Sequence, residues 1–138
     1  MIEMVLAKIK IDEKRSEQII VLREKDGNRL LPVVIGIAEV NAIKLKLSGV
    51  ELPRPLTHDL LLSTIKQMGG KLQSIVIDDL EDNTFFAKLV VENAEGNEIK
   101  VDARPSDSIA LALRADMPIY IEDKVINEAG VVEDGEQG

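Results

Sequence analysis

Two short segments of the sequence share a pattern of residues that could do chemistry. One runs Arg54-Pro55-Leu56-Thr57-His58-Asp59, and the other runs Arg104-Pro105-Ser106-Asp107. Each places an arginine before a proline, then a hydroxyl residue and an acid, directly ahead of an apolar run. Proline disfavours helix in the residue before it, and Thr and Ser are preferred caps, so we expect two helices capped by Thr57 and Ser106.

The two arginines and the single histidine are not needed to begin a helix. An arginine beside a helix N-terminus can join the backbone N–H groups in binding one anion, and two such pockets would hold a phosphodiester. The candidate anion-binding residues are therefore Arg54, Thr57, Arg104 and Ser106. His58 is a candidate general base because neutral imidazole is available near pH 7. The alternative is a structural histidine with arginines that form surface ion pairs.

Carboxylates add a second kind of chemistry. Asp59 and Asp107 are candidate catalytic partners of His58, and Glu39, Asp59 and Asp107 are candidate ligands for Mg²⁺ or Mn²⁺, which prefer oxygen. Their spacing is not diagnostic of a metal site. With one His and no Cys, a structural zinc site is not expected. The sequence has no phosphate-binding loop for a nucleotide cofactor and no Gly-x-Ser-x-Gly turn for a Ser–His–Asp triad.

Composition limits the classes of function. The net charge is −8, which opposes sequence-independent binding to phosphates, so nucleic acid would need a local basic patch or bridging metal ions. Only Phe85, Phe86 and Tyr120 are aromatic, which argues against a surface that stacks unpaired bases. The chain lacks cysteine and shows neither a signal peptide nor a membrane span, so we expect a cytoplasmic protein that does not contact membranes.

Hydrophobic periodicity predicts strands and helices that alternate in groups. Strands are predicted over 4–11, 17–24, 29–35, 72–80, 84–92, 97–103 and 119–122. Helices are predicted over 38–48, from Thr57 to Gly69-Gly70 and from Ser106 to Ala115, while 123–130 could be a helical turn or a loop. Val40, Ile43 and Leu47 should form the buried stripe of the first helix, and Leu61, Ile65 and Met68 that of the second.

This order favours an α+β fold with a mixed, mainly antiparallel sheet and about three helices. We expect a single compact domain over residues 1–130 and an acidic tail over 131–138, disordered from Glu133. Asp26-Gly27 should join two paired strands, and Pro32 should lie at a sheet edge or a bulge. Because such a sheet leaves open edges, we also expect a homo-oligomer, most simply a dimer.

The motifs resemble one known family. The run Leu31-Pro32-Val33-Val34-Ile35-Gly36 with Glu39, the Arg-Pro-Leu-Thr-His-Asp segment, Phe85-Phe86-Ala87 and the run from Arg104 to Ala112 occur in this order. Together they resemble the bifunctional nuclease domain family, from about residue 3 to 130. Ser108 stands where the family usually has Ala.

The resemblance implies a small α+β domain and, for plant members, nuclease activity on RNA and DNA. Carried over by motif, the candidate site comprises Glu39, Arg54, Thr57, His58, Asp59, Arg104, Ser106 and Asp107. One hypothesis is a nuclease-like phosphodiesterase assisted by a divalent metal. The alternatives are a non-catalytic module that binds an anion or a partner, and motifs that only fix helix starts and a subunit interface.

Overall fold

The computed structural model describes residues 1–12, 14 and 17–132. In this part of the chain the strands are β1 (Ile2–Asp12), β2 (Glu17–Glu24), β3 (Arg29–Ile35), β4 (Lys71–Glu81), β5 (Thr84–Glu92), β6 (Glu98–Ala103), β7 (Ile119–Ile121) and β8 (Val131–Val132). The helices are α1 (Ile37–Ser48), α2 (Thr57–Gln67), α3 (Pro105–Ala115) and α4 (Asp123–Ala129). The fourth helix occupies the stretch for which the sequence allowed a helical turn or a loop.

The described strands form one sheet in the order β6-β5-β4-β7-β1-β2-β3-β8. Neighbouring strands are antiparallel except β4 and β7, which are parallel. The predicted α+β fold with a mixed, mainly antiparallel sheet is therefore confirmed. Among the described helices, none is long and apolar enough to cross a membrane.

Local turn chemistry fixes the hairpins. β2 pairs with β3 across the Asp26-Gly27 turn, as predicted. Asp82 and Asn83 connect β4 to β5 with φ angles of 49° and 63°, the left-handed pair that a tight hairpin turn requires. Pro32 lies in β3 beyond the two residues that pair with β8, so one side of the strand is open at this position, as the edge prediction requires.

Helix α3 lies at the centre of the fold. Its residues Ile109–Ala112 are fully buried, and it packs against α1, α2, β3, β4 and β5. Strands β3 and β5 are far apart in the sheet order, so the sheet must curve around α3 for both to reach it. The two Arg-Pro segments therefore belong to helices that pack against each other on the concave face of the sheet.

Helix α2 is less buried than its pattern predicts. Leu61 and Met68 are exposed and Ile65 is only partly buried, whereas His58 is the buried residue of the helix. Leu47 of α1 is exposed as well, although Val40 and Ile43 are buried as predicted. The expected stripes are wrong at Leu47, Leu61 and Met68. Helix α2 contacts the core through Leu62 and Ile65, together with His58, so its buried side is rotated from the predicted one.

The C-terminal part of the described chain passes the predicted domain boundary. Val131 and Val132 form β8 and pair with Leu30 and Arg29. The disorder predicted from Glu133 concerns residues that lie outside those the structure describes.

Candidate functional site

The two helices that follow the Arg-Pro pairs begin side by side. His58 lies in the first turn of α2 and Asp107 in the first turn of α3, 49 positions later. Nε2 of His58 is 3.0 Å from Oδ1 of Asp107, so the two helix starts meet as the shared pattern predicts. This contact brings together one candidate residue from each motif.

Thr57 and Ser106 do not cap these helices, so that prediction is wrong. The N-cap residues are Leu56 and Arg104, and neither helix has a side-chain cap. In α3 the proline itself occupies the first helical position, where its missing N–H costs nothing, and Ser106 is moved one residue into the helix. In α2 the Asp59 carboxylate instead accepts a hydrogen bond from the Leu56 N–H at 3.0 Å.

Arg104 joins Asp107 to a third helix. Its Nε donates to Oδ2 of Asp107 at 2.9 Å, and one of its Nη atoms donates to Oε1 of Glu39 at 2.8 Å. Glu39 lies in the first turn of α1 and folds back over the helix start, since a Cβ at Gly36 would collide with Oε2 of Glu39. Glu39, Arg104, Asp107 and His58, which we call the Arg104 network, thus link the starts of α1, α2 and α3.

Exposure changes along the Arg104 network. The His58 side chain is 11% exposed, whereas the Arg104 side chain is 66% exposed. Asp107 lies between them and is partly exposed. The guanidinium is therefore the part of the network that a ligand can reach from solvent, whereas little of the imidazole is accessible.

Asp107 is ionised at neutral pH. Burial alone would raise its pKa, but hydrogen bonds from Arg104 and His58 and the charge of the guanidinium hold the pKa below its unfolded value of 3.8. An ionised carboxylate only accepts hydrogen bonds, so Nε2 of His58 must be the donor in this pair. When the imidazole is neutral, its lone pair is therefore on Nδ1.

The depressed pKa of Asp107 predicts an acid-sensitive contribution to stability. The contribution is present above the unfolded pKa of 3.8 and is lost as pH falls through the lower folded pKa. We expect Asp107→Asn to lower the free energy of unfolding by about 1 kcal/mol at pH 7, and the difference from wild type to shrink below about pH 4. Urea unfolding at pH 7, 4 and 3 measures this, and a difference that does not change with pH would contradict it.

A second group of polar contacts joins α3 to α2 and α1 through Arg114. Nε of Arg114 donates to Oδ1 of Asp59 at 2.8 Å, and its Nη atoms donate to the carbonyl oxygens of Ala110 at 3.3 Å and Ala42 at 3.2 Å. The Arg114 side chain is only 6% exposed. Burial would raise the pKa of Asp59, but the Leu56 N–H and Arg114 lower it overall. Asp59 is thus held in a contact between helices, and its hydrogen bonds go to Leu56 and Arg114 and not to His58 or Asp107.

Sequence reasoning did not single out Arg114. Its signal is a lone arginine at the end of the apolar run Ile109-Ala110-Leu111-Ala112-Leu113. A charge placed there is either exposed or paired, and the contact with Ala42, 72 positions away, depends on tertiary packing that the sequence pattern does not encode.

The remaining candidates are divided between two grooves. The Arg104 groove, of about 510 Å³, is lined by residues 32–36, 83–85 and 104–106. Ser106 is buried there, and within the described chain its hydroxyl makes no hydrogen bond. Arg54 lines a different cavity, the Arg54 groove of about 610 Å³, together with Asp59 and Arg114. Thr57 is exposed. The two arginines of the repeated pattern therefore do not share one pocket.

The expected metal ligands Glu39, Asp59 and Asp107 are not grouped around one point in the structure. Among the described residues, no three His, Asp or Glu side chains are grouped so that they could hold a metal ion. Glu39 and Asp107 both face the Arg104 guanidinium, and Asp59 faces Arg114. The positive charge that balances each carboxylate is thus an arginine. Dependence on a divalent metal stays a prediction.

Comparison with known proteins identifies relatives across nearly the whole chain. The family model described as bifunctional nuclease domain matches residues 20–134. An uncharacterised protein of Mycobacterium tuberculosis is 44% identical over 124 residues, which cover 90% of this chain and 73% of that protein. Bifunctional nuclease 1 of Oryza sativa subsp. japonica is 26% identical over 128 residues, covering 89% of this chain and 38% of the rice protein. Bifunctional nuclease 1 of Arabidopsis thaliana is 28% identical over 123 residues, covering 84% of this chain and 37% of the plant protein.

Proposed function

Because this chain belongs to the bifunctional nuclease domain family, we propose that it is a nuclease-like phosphodiesterase that acts on RNA or DNA through the Arg104 network. The observation that carries the proposal is the 3.0 Å hydrogen bond between His58 and Asp107 at the junction of two helix starts. It joins a titratable imidazole to an ionised carboxylate beside an exposed arginine, which are parts that phosphodiester cleavage can use.

His58 is the proton carrier in this proposal. Asp107 accepts the Nε2 proton and so fixes the tautomer in which Nδ1 is basic. A carboxylate in that position also stabilises the imidazolium that forms when Nδ1 takes a proton from the attacking hydroxyl or water. The proton is then returned to the leaving oxygen.

Arg104 binds the phosphate. Two of its nitrogen atoms are used by Asp107 and Glu39, and a guanidinium has five N–H donors, so donors remain for phosphate oxygens. The unpaired hydroxyl of Ser106 lines the same groove and adds a donor. Glu39 and Asp107 keep the guanidinium in place before substrate arrives, which lowers the entropy lost on binding.

The Arg54 groove supplies the local positive charge that the acidic composition otherwise lacks. Lys46, Arg54 and Lys66 line it beside the paired Asp59 and Arg114, with Glu51 as a further acid. Arg54 makes no hydrogen bond or ion pair with another described residue, so its charge is available. We propose that this groove holds the phosphates that flank the one cleaved.

A non-catalytic module that binds an anion is the second candidate. The burial of His58 favours it, because a base must reach the proton that it takes. Under this proposal Arg104 and Ser106 bind the ligand and the pair of His58 and Asp107 only fixes the helix starts.

We expect wild-type protein to cleave labelled single-stranded RNA or DNA, and Arg104→Ala to raise KM at least about tenfold because a charged hydrogen-bonding partner of the phosphate is lost. Arg29→Ala is the matched control. Arg29 also makes a two-point ion pair, with Glu24, but it lies at the far end of β3 from the site. The assay is run with Mg²⁺, with Mn²⁺ and with EDTA, which also tests the predicted metal dependence.

The outcomes separate the two candidates. Equal cleavage by wild type and Arg104→Ala, purified identically, would contradict a role of Arg104 in binding the phosphate. Binding of the oligonucleotides that depends on Arg104, without cleavage under any metal condition, would favour the binding module. Cytoplasmic location stays a prediction, and so does dimeric assembly.

A further inference from the structure

Strand β6 leaves one edge of the sheet open. It ends the strand order in the described part of the chain, and residues 98–102 are exposed. It pairs with β5 in unbroken register and contains no proline. Natural proteins commonly protect such an edge, because its free N–H and C=O groups can pair with another chain.

The opposite edge is a poorer template. There β8 contributes only Val131 and Val132, which pair with the first residues of β3. Beyond β8 the edge of the sheet is formed by β3 itself, and Pro32 of β3 has no N–H to donate. Of the two sheet ends, β6 is therefore the one suited to pairing.

An apolar groove lies beside β6. This α2–β6 groove, of about 510 Å³, is lined mainly by the exposed row of α2 and by residues of β5 and β6: Leu61, Ile65, Met68, Leu89, Val91, Ile99 and Val101. Met68 is 77% exposed, and Ile99 and Val101 are 42% and 43% exposed. Leu61 and Met68, which the sequence pattern predicts to be buried, are thus uncovered next to the open edge.

We propose that β6 pairs with β6 of a second copy of this chain, antiparallel and centred on Val101. A two-fold axis perpendicular to the sheet places one residue opposite itself and keeps the helices of both copies on the same face. The charges of the cross-strand pairs favour one residue as the centre of the register. Centring on Lys100 would oppose Lys100 to itself and Glu98 to Asp102, whereas centring on Val101 opposes Lys100 to Asp102 twice.

The same register uses the whole strand. Ile99 lies opposite Ala103, and Val101 lies opposite itself, so the face that carries the α2–β6 groove is apolar throughout. Glu98 lies opposite Arg104, whose backbone is still extended. Centring on Ile99 would also pair opposite charges, Glu98 with Lys100, but it would leave Asp102 and Ala103 without a strand partner. The proposal is independent of the proposed nuclease activity.

The absence of cysteine from the chain makes the register testable. In Val101→Cys the two new thiols lie directly opposite, with Cα atoms about 4.5–5.5 Å apart, which a disulfide can bridge. In the matched variant Ile99→Cys the two thiols lie about 14 Å apart along the strands, beyond the Cα limit of about 7 Å. We expect mild oxidation to give covalent dimers of Val101→Cys and not of Ile99→Cys.

Charge reversal provides the second test. Lys100→Glu should raise the dimer dissociation constant at least about tenfold, because both cross-strand pairs become repulsive, and Lys100→Glu with Asp102→Lys should restore it. Asp102 also lies 3.7 Å from Lys88, so Asp102→Lys could destabilise the monomer itself. If the double variant is destabilised in this way, the test rests on the single variant Lys100→Glu. Light scattering across micromolar concentrations measures the mass. A monomer throughout, or covalent dimers of Ile99→Cys without covalent dimers of Val101→Cys, would overturn the proposal.

Discussion

Replacing His58 with glutamine is expected to lower kcat for oligonucleotide cleavage by at least about a hundredfold, which is the usual loss when a general acid or base is removed. The glutamine amide can still donate to Asp107, so the junction of α2 and α3 keeps its hydrogen bond. It cannot accept and return a proton. We therefore expect the loss in kcat, with KM and the free energy of unfolding close to those of wild type.

Thr57→Ala is the matched control for that experiment. Thr57 precedes His58 in the same helical turn, is exposed and forms no hydrogen bond through its side chain with another described residue. Thr57 lines neither the Arg104 groove nor the Arg54 groove, so its variant should cleave as wild type does, which would remove Thr57 from the candidate anion-binding residues. Full activity in His58→Gln would assign His58 a structural role, whereas loss of activity in Thr57→Ala would point to a general disturbance of the helix start.

The secondary structure was predictable because its signals are local. The turn after β2 contains Asp26-Gly27, and the structure places β2 and β3 on either side of it with the predicted bounds. Gly49 ends α1 with a φ of 73°, the left-handed conformation that glycine adopts at low cost. Each of these features depends on a few neighbouring residues, so one sequence is enough to identify them.

Burial and capping were less predictable because they depend on distant residues. The period of Leu61, Ile65 and Met68 correctly indicates an amphipathic helix, but it does not say whether another chain or the same chain covers that row. Likewise, an Arg-Pro pair indicates that a helix begins nearby, but it does not determine which residue becomes the N-cap. The sequence pattern thus predicts that a helix forms, whereas tertiary packing determines which of its faces is exposed.

The candidate site shows the same division. Repeated motifs led to His58, Arg104 and Asp107, and the structure brings these three together with Glu39. Arg54 repeats the pattern but lines another groove. It lies two residues before Leu56, the N-cap of α2, whereas Arg104 is itself the N-cap of α3. Arg114 belongs to no motif, and only its burial and its bonds to two other helices identify it.

Replacing Arg114 with methionine is expected to lower the free energy of unfolding by about 3 kcal/mol, within the range for removing one partner of a buried, hydrogen-bonded ion pair. The methionine keeps most of the apolar stem of the side chain. It removes the bonds to Asp59 of α2 and to the Ala42 carbonyl of α1, which together hold both helices on α3. Asp59 is partly exposed and regains water, which keeps the loss at the lower end of that range.

Arg29→Met is the comparison with a more exposed arginine. Arg29 makes a two-point ion pair with Glu24, with distances of 3.0 and 3.2 Å, but its side chain is 32% exposed. The Glu24 side chain is 15% exposed and Arg29 also donates to Asn127, so the contrast lies in the exposure of the arginine, and we expect Arg29→Met to cost less than Arg114→Met. Urea unfolding of both variants at pH 7 measures the difference. Equal losses in the free energy of unfolding would show that Arg114 does not stabilise the fold more than Arg29 does. Adding Asp59→Ala to Arg114→Met should lower the free energy of unfolding little further, because it removes the carboxylate that the first substitution leaves without its arginine.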